Sequence, residues 1–188
     1  MNDFEERMRH GKKFYEQGMQ IVSSFLGTHL KFHIVEADEY ADQYEATDFK
    51  TVIHQEGRFG FRVRGPGYWE KYFDFTMRYR TRSGSAETEF KKLKNDVVPF
   101  YFYCWESASD PSQIGPWMFL DLKKVREAGL FEKCILRDPP GCEPWMQLSG
   151  IQLVHAGAIL ESSFDPEGEL IRRQAKTRSH HEQVVLYK

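Results

Sequence analysis

Residues 36–82 read EADEYADQYEATDFKTVIHQEGRFGFRVRGPGYWEKYFDFTMRYRTR. The order along this stretch is acids, then one aspartate, Asp48, between Thr47 and Phe49, then cations. Thr47 to His54 and Arg58 to Arg64 are runs of β-branched and aromatic residues joined by a short connection containing Gln55-Glu56-Gly57, which predicts a hairpin. On the second run Arg62 and Arg64 lie two apart and share one face, while Phe61 and Val63 take the other. Gly65-Pro66-Gly67 then turns the chain. Tyr72 to Arg82 predicts a third strand, with Asp74, Thr76, Arg78, Arg80 and Arg82 on one side and Phe73, Phe75, Met77 and Tyr79 on the other. Two neighbouring strands would thus repeat one device, an aromatic face beneath a row of arginines. Arg and Thr pointing outward is also the ordinary dress of a solvated antiparallel sheet face.

Upstream, Phe4, Met8, Tyr15, Met19, Val22 and Leu26 recur at helical spacing, and Gly27 is a stop, so a long helix over 2–26 is expected, weakened by Gly11 and Gly18. Its apolar stripe implies packing on the domain or on a second copy, a homodimer. HLKFHIV (29–35) reads as a short strand or as the lead-in to an acidic helix, Ala37–Tyr44, whose carboxylates suit a helix start. Downstream, Ser85 is a candidate N-cap for a short helix ending in Lys91, Lys92 and Lys94. Val97–Trp105 predicts a buried strand with Pro99 at an edge or entry position. Trp117–Leu122 predicts another strand, and Leu122–Leu130 a helix closed by Gly129. Residues 134–144 read as a loop and 145–160 as one or two further apolar elements. The fold class is therefore α/β (α+β), a central mixed sheet of about five strands flanked by helices. The expected division is a single domain over 1–164 and a polar tail or peripheral helix over 165–188.

The chain has 188 residues, 40% hydrophobic and 15% aromatic, enough for one domain with a sizeable core and far from a disordered composition. The first residues are charged and no apolar run approaches ~18 residues, so neither export nor membrane insertion is signalled, and a cytoplasmic setting is expected. Three cysteines at 104, 134 and 142 form no even-numbered disulfide framework. Between Arg58 and Lys94 stand ten Lys and Arg against four acids, a net of +6, which leaves −8 for the rest of a chain whose formal charge is −2. A basic block inside an acidic chain points to a local anionic partner.

Dinucleotide and triphosphate glycine loops are absent, as is a nucleophile elbow, and Cys134, Cys142 and His155 lack the spacing of a compact zinc site. What remains is Glu39, then Asp48 opening a strand, then Arg62-Val63-Arg64 on its hairpin partner. This pattern resembles the core of the PD-(D/E)xK, restriction-endonuclease-like nuclease superfamily, over about residues 37–130. The resemblance implies a helix bearing an acid, a strand starting at a metal-binding Asp, and a second strand bearing (D/E)xK, followed by a helix and further strands. It implies a Mg²⁺-dependent nuclease in which Asp48 and Glu39 hold the metal and Arg62 and Arg64 face the scissile phosphate. Arg78, Arg80, Arg82, Lys91 and Lys92 would follow the nucleic-acid backbone. The sequence departs from the family at Arg62, where the second metal acid should stand, and at Arg64, where the lysine should stand. A cation at 64 can stabilise developing phosphorane charge, but Arg62 cannot bind Mg²⁺. Ligation would then draw on Glu39 or Asp74, with Glu89 in Glu89-Phe90-Lys91 as a migrated acid. The alternative is a binding module without chemistry, gripping nucleic acid or an acidic protein on an Arg-lined sheet.

Overall fold

The computed structural model describes residues 9–27, 33–36, 49–52, 56–80, 88–95 and 98–175. Nine strands form two sheets among these residues. The larger has the order β1 (His33–Glu36), β2 (Phe49–Val52), β3 (Glu56–Arg64), β5 (Phe100–Glu106), β6 (Ile114–Asp121) and β9 (Ile159–Ser162). The smaller is β4 (Asp74–Arg78), β8 (Trp145–Ser149) and β7 (Ile135–Arg137). The first three strands are an antiparallel meander, and β3 pairs parallel with β5. Every other pairing is antiparallel. The α/β class holds, with one more strand in the main sheet than expected and a second sheet, built from the expected third strand, part of the expected loop and the apolar element after it, where one central sheet was foreseen.

The expected hairpin forms: Phe49 lies opposite Phe59 and Val52 opposite Glu56. The expected third strand does not join it. After Gly65-Pro66-Gly67, with Gly67 at φ 75°, the chain runs through the short helix α2 (Tyr68–Lys71), and β4 opens the second sheet. The edge of β3 is taken instead by β5, whose FYFYCWE sequence suits a strand buried on both faces. Pro99 sits at the entry of β5, where its missing N–H costs no ladder bond, and its carbonyl accepts from Leu122 N at 2.8 Å.

Period-2 alternation sorts the core into two layers. Phe59, Phe61, Phe102, Cys104 and Phe119 face one way and are covered by Phe14 and by α1 (Tyr15–Gly27) through Val22. Tyr101, Tyr103, Trp105, Met118 and Leu120 face the other way, against Phe75, Met77 and Leu148 of the small sheet. The result is a helix, a six-stranded sheet and a three-stranded sheet stacked in that order. The described N-terminal segment is not one continuous helix. Residues 9–12 are helical, a turn follows at 13–14, and α1 begins at Tyr15. Phe14 N bonds to Gly11 O at 3.0 Å, a tightened turn that drops the Phe14 ring into the core. Gly18 allows α1 to lie close on the sheet, since a Cβ there would fall 2.3 Å from Phe61 Cε2.

Other boundaries move by a few residues. Helix α3 spans Glu89–Lys94 with Thr88, not Ser85, at its N-cap, and α4 spans Leu122–Glu127 with the Asp121 carboxylate accepting from Lys123 N and Lys124 N. Gly129, at φ 62°, ends the run as expected. The loop expected over 134–144 contains β7, and 145–160 holds β8, α5 (Gly150–His155) and the start of β9. Residues 166–175 are helical and dock through Arg173, whose guanidinium lies 5.0 Å from the Trp69 ring centroid. No helix among the described residues is long and apolar enough to cross a membrane.

Candidate nucleic-acid interface

The residues singled out by the sequence separate into three groups. Glu39, Asp48 and Arg82 lie outside the described residues, as does the acidic segment 37–44. Arg62, Arg64, Asp74 and Glu89 come together between the two sheets. Arg78, Arg80 and Lys91 lie at or near the surface, whereas Lys92 is buried at 6% exposure. Burial of Lys92 beside Phe90 and Leu93 on α3 removes it from any surface a phosphate backbone could follow.

Arg62 and Arg64 do share one face of β3, but that face is not open. The reason is the free edge of β4. This strand has β8 on one side only, and its outward N–H and C=O groups would be unpaired. Side chains from the main sheet and α3 satisfy three of them. Arg62 Nη1 donates to Thr76 O at 2.9 Å, Thr76 N donates to the Tyr103 hydroxyl at 3.3 Å, and Arg78 N donates to Glu89 Oε2 at 2.8 Å. Arg62 also donates to Glu89 Oε2 at 2.5 Å, and the Tyr101 hydroxyl donates to Glu89 Oε1. One place over, Arg64 Nη1 reaches Asp74 Oδ1 at 3.2 Å, Thr76 Oγ1 at 3.0 Å and the Tyr103 hydroxyl at 3.1 Å. A chain of polar contacts continues from Asp74 Oδ2 through Gln147 Nε2 at 2.7 Å, and from Gln147 Oε1 to Arg137 Nε at 2.6 Å.

The electrostatics follow from this packing. Burial works to raise the Glu89 carboxyl, but the Arg62 charge, the Tyr101 hydroxyl and the Arg78 amide outweigh it and hold it below its usual value. Burial likewise opposes the charge on Arg62, and Glu89 outweighs it, so the guanidinium is held charged more firmly than usual. At Asp74 burial prevails over Arg64 and Gln147, and the carboxyl titrates above its ordinary value. Burial and nearby Glu106 push the Cys104 thiol well up.

These bonds bear directly on Asp74 and Glu89 as metal ligands. Asp74 has one oxygen on Arg64 and the other on Gln147, and Glu89 has both oxygens engaged by Arg62, Arg78 and Tyr101. Both carboxylates are committed to holding the small sheet on the large one, and neither fits a divalent cation. No group of three or more His, Cys, Asp or Glu among the described residues is placed to hold a metal.

On the surface side, Arg78 Nε lies 3.3 Å from Glu143 and Arg80 Nη2 lies 3.1 Å from Asp138, the latter pair 61% and 51% exposed and so weak. Sequence reasoning missed two exposed rings, Tyr68 and Tyr72. Their spacing of four across α2 was the available signal. In comparisons with known proteins, no family model matches the chain. No curated protein matches it either.

Proposed function

We propose that the chain is a nucleic-acid-processing protein whose working side is the β2–β3 hairpin and the cations that follow it. The observation that carries the reading is the hairpin register: Phe49, next in sequence to Asp48, pairs with Phe59, and Arg62 and Arg64 follow on the same partner strand. This is the order that the nuclease-like resemblance implies, an Asp opening one strand and the motif positions on the next. In a Mg²⁺-dependent phosphodiesterase, Glu39 and Asp48 would hold the metal, because Asp74 and Glu89 are already committed. The metal would supply charge neutralisation at the phosphate. The test is thermal: Mg²⁺ or Mn²⁺ should raise the melting temperature of the parent chain but not that of Asp48→Asn. Equal shifts in both chains, or none in either, would remove the metal role.

A second reading is favoured by the commitment of Arg62 and Arg64. Guanidinium groups already bonded to Glu89, Asp74 and the β4 backbone have fewer N–H donors left for a phosphate. In that reading the chain binds nucleic acid or an acidic protein without cutting, through Arg80, Lys91 and the basic residues near them. Cleavage of labelled oligonucleotides by the parent but not by Asp48→Asn separates the first reading from the second.

A further inference from the structure

An aromatic rib stands beside Arg64. Tyr68 opens α2 and Tyr72 caps it, four residues apart, and each is 45% exposed. The Arg64 guanidinium lies 4.5 Å from the Tyr68 ring centroid, and the Tyr68 and Tyr72 centroids are 6.1 Å apart. Tyr72 also walls a cleft of about 260 Å³. Leu170 adds an apolar wall and Lys71 supplies positive charge, while Asp74, Gln147 and Arg173 also line the cleft, each bonded to protein partners: Asp74 to Arg64, Gln147 to Asp74 and Arg137, and Arg173 to Glu169.

We infer that this rib and cleft receive the bases of a single-stranded nucleic acid, one base entering the cleft beside Tyr72 and its neighbour lying on Tyr68. The inference rests on the proposed function and specifies its substrate class. Exposed rings on a cationic surface are what unpaired bases stack on, largely without regard to sequence. The volume lies below the ~300–1,000 Å³ of pockets for drug-sized ligands, which suits a single ring system and not an extended cofactor. Lys71, between the two tyrosines in sequence, is exposed and has no ion pair among the described residues, so its ammonium can meet a phosphate of the strand. A duplex keeps its bases stacked inside and cannot present them to these rings.

The experiment is fluorescence anisotropy with the full chain in EDTA, using a labelled 12-nucleotide DNA strand, the same sequence as RNA, and the 12-base-pair DNA duplex. Single strands should bind about tenfold or more tighter than the duplex, and the double variant Tyr68→Ala/Tyr72→Ala should weaken single-strand binding by about tenfold while leaving duplex binding within about twofold. Tyr72→Phe should bind like the parent, and the DNA and RNA arms show whether the sugar matters. Should the double variant melt early, Tyr72→Leu, which keeps apolar bulk but no ring face, should weaken single-strand binding in its place. Unchanged single-strand affinity in folded variants, or a duplex bound as tightly as a strand, overturns the inference and leaves nucleic-acid binding standing. No binding of any of the three probes overturns both and favours an acidic protein partner.

Discussion

Replacing Arg62 by alanine is the sharpest probe of how the two sheets are joined. The substitution removes a charged donor from Glu89 Oε2 at 2.5 Å and from Thr76 O at 2.9 Å. Breaking one side of a buried ion pair costs about 3–5 kcal/mol. Here 26% of the Arg62 side chain is exposed, and Glu89 keeps Arg78 N and the Tyr101 hydroxyl, so the loss falls lower, at about 2–3 kcal/mol. For a chain of this size that corresponds to a melting temperature lower by roughly 5–10 °C, readable by calorimetry or circular dichroism. The pH dependence adds a second check. The Glu89 carboxyl is depressed in the folded state, so its contribution is present above the unfolded carboxyl pKa and is lost as pH falls through the lower folded value. Without Arg62 that depression weakens, and the gap between parent and variant should narrow as pH drops from 7 through the carboxylate range. The double variant Arg62→Met/Glu89→Gln should be less damaged than the sum of its parts, because it leaves no unpaired buried charge. A drop under 2 °C at pH 7, or a gap that is the same at pH 7 and in acid, would refute this account of the sheet junction.

Other consequences are more local. Gly18→Ala should cost about 1–3 kcal/mol, seen as a lower melting temperature, because its Cβ would press on Phe61, which is itself stacked on Phe102 at 5.5 Å. In a maleimide labelling time course on the folded chain, the exposed Cys142 should react first. Cys134, with its thiol pushed up to about 12 mainly by burial, should react slowly, and Cys104 only on unfolding. Arg80→Ala should leave the melting temperature within a degree or two, since its pair with Asp138 is exposed. If the basic side binds nucleic acid, the same variant should reduce affinity and flatten the log–log salt slope by about 0.9 for a duplex. Identical binding curves across salt would take Arg80 out of the interface.

The alternation of residues 58–64 was enough to put Arg62 and Arg64 on one face and Phe61 and Val63 on the other, since a strand has period 2 whatever surrounds it. The short connection between the two runs marked the hairpin, although Glu56 and Gly57 prove to be the first residues of β3, paired with Val52 and Thr51. The aromatic run ending at Trp105 marked a buried strand, the composition marked a folded chain, and the order of elements marked the α/β class. What covers the arginine face was not legible there. The strand that covers it, β4, follows β3 closely but pairs with β8, about seventy residues further on, and a hydrophobic pattern cannot say whether a polar row meets water or another element's unpaired backbone. Only the stacking of the two sheets turned the edge of β4 toward Arg62, Tyr103 and Glu89. That contact converted a row of cations that reads as solvent-facing into the polar seam of the core, because a buried strand edge must find hydrogen-bond partners wherever the fold supplies them.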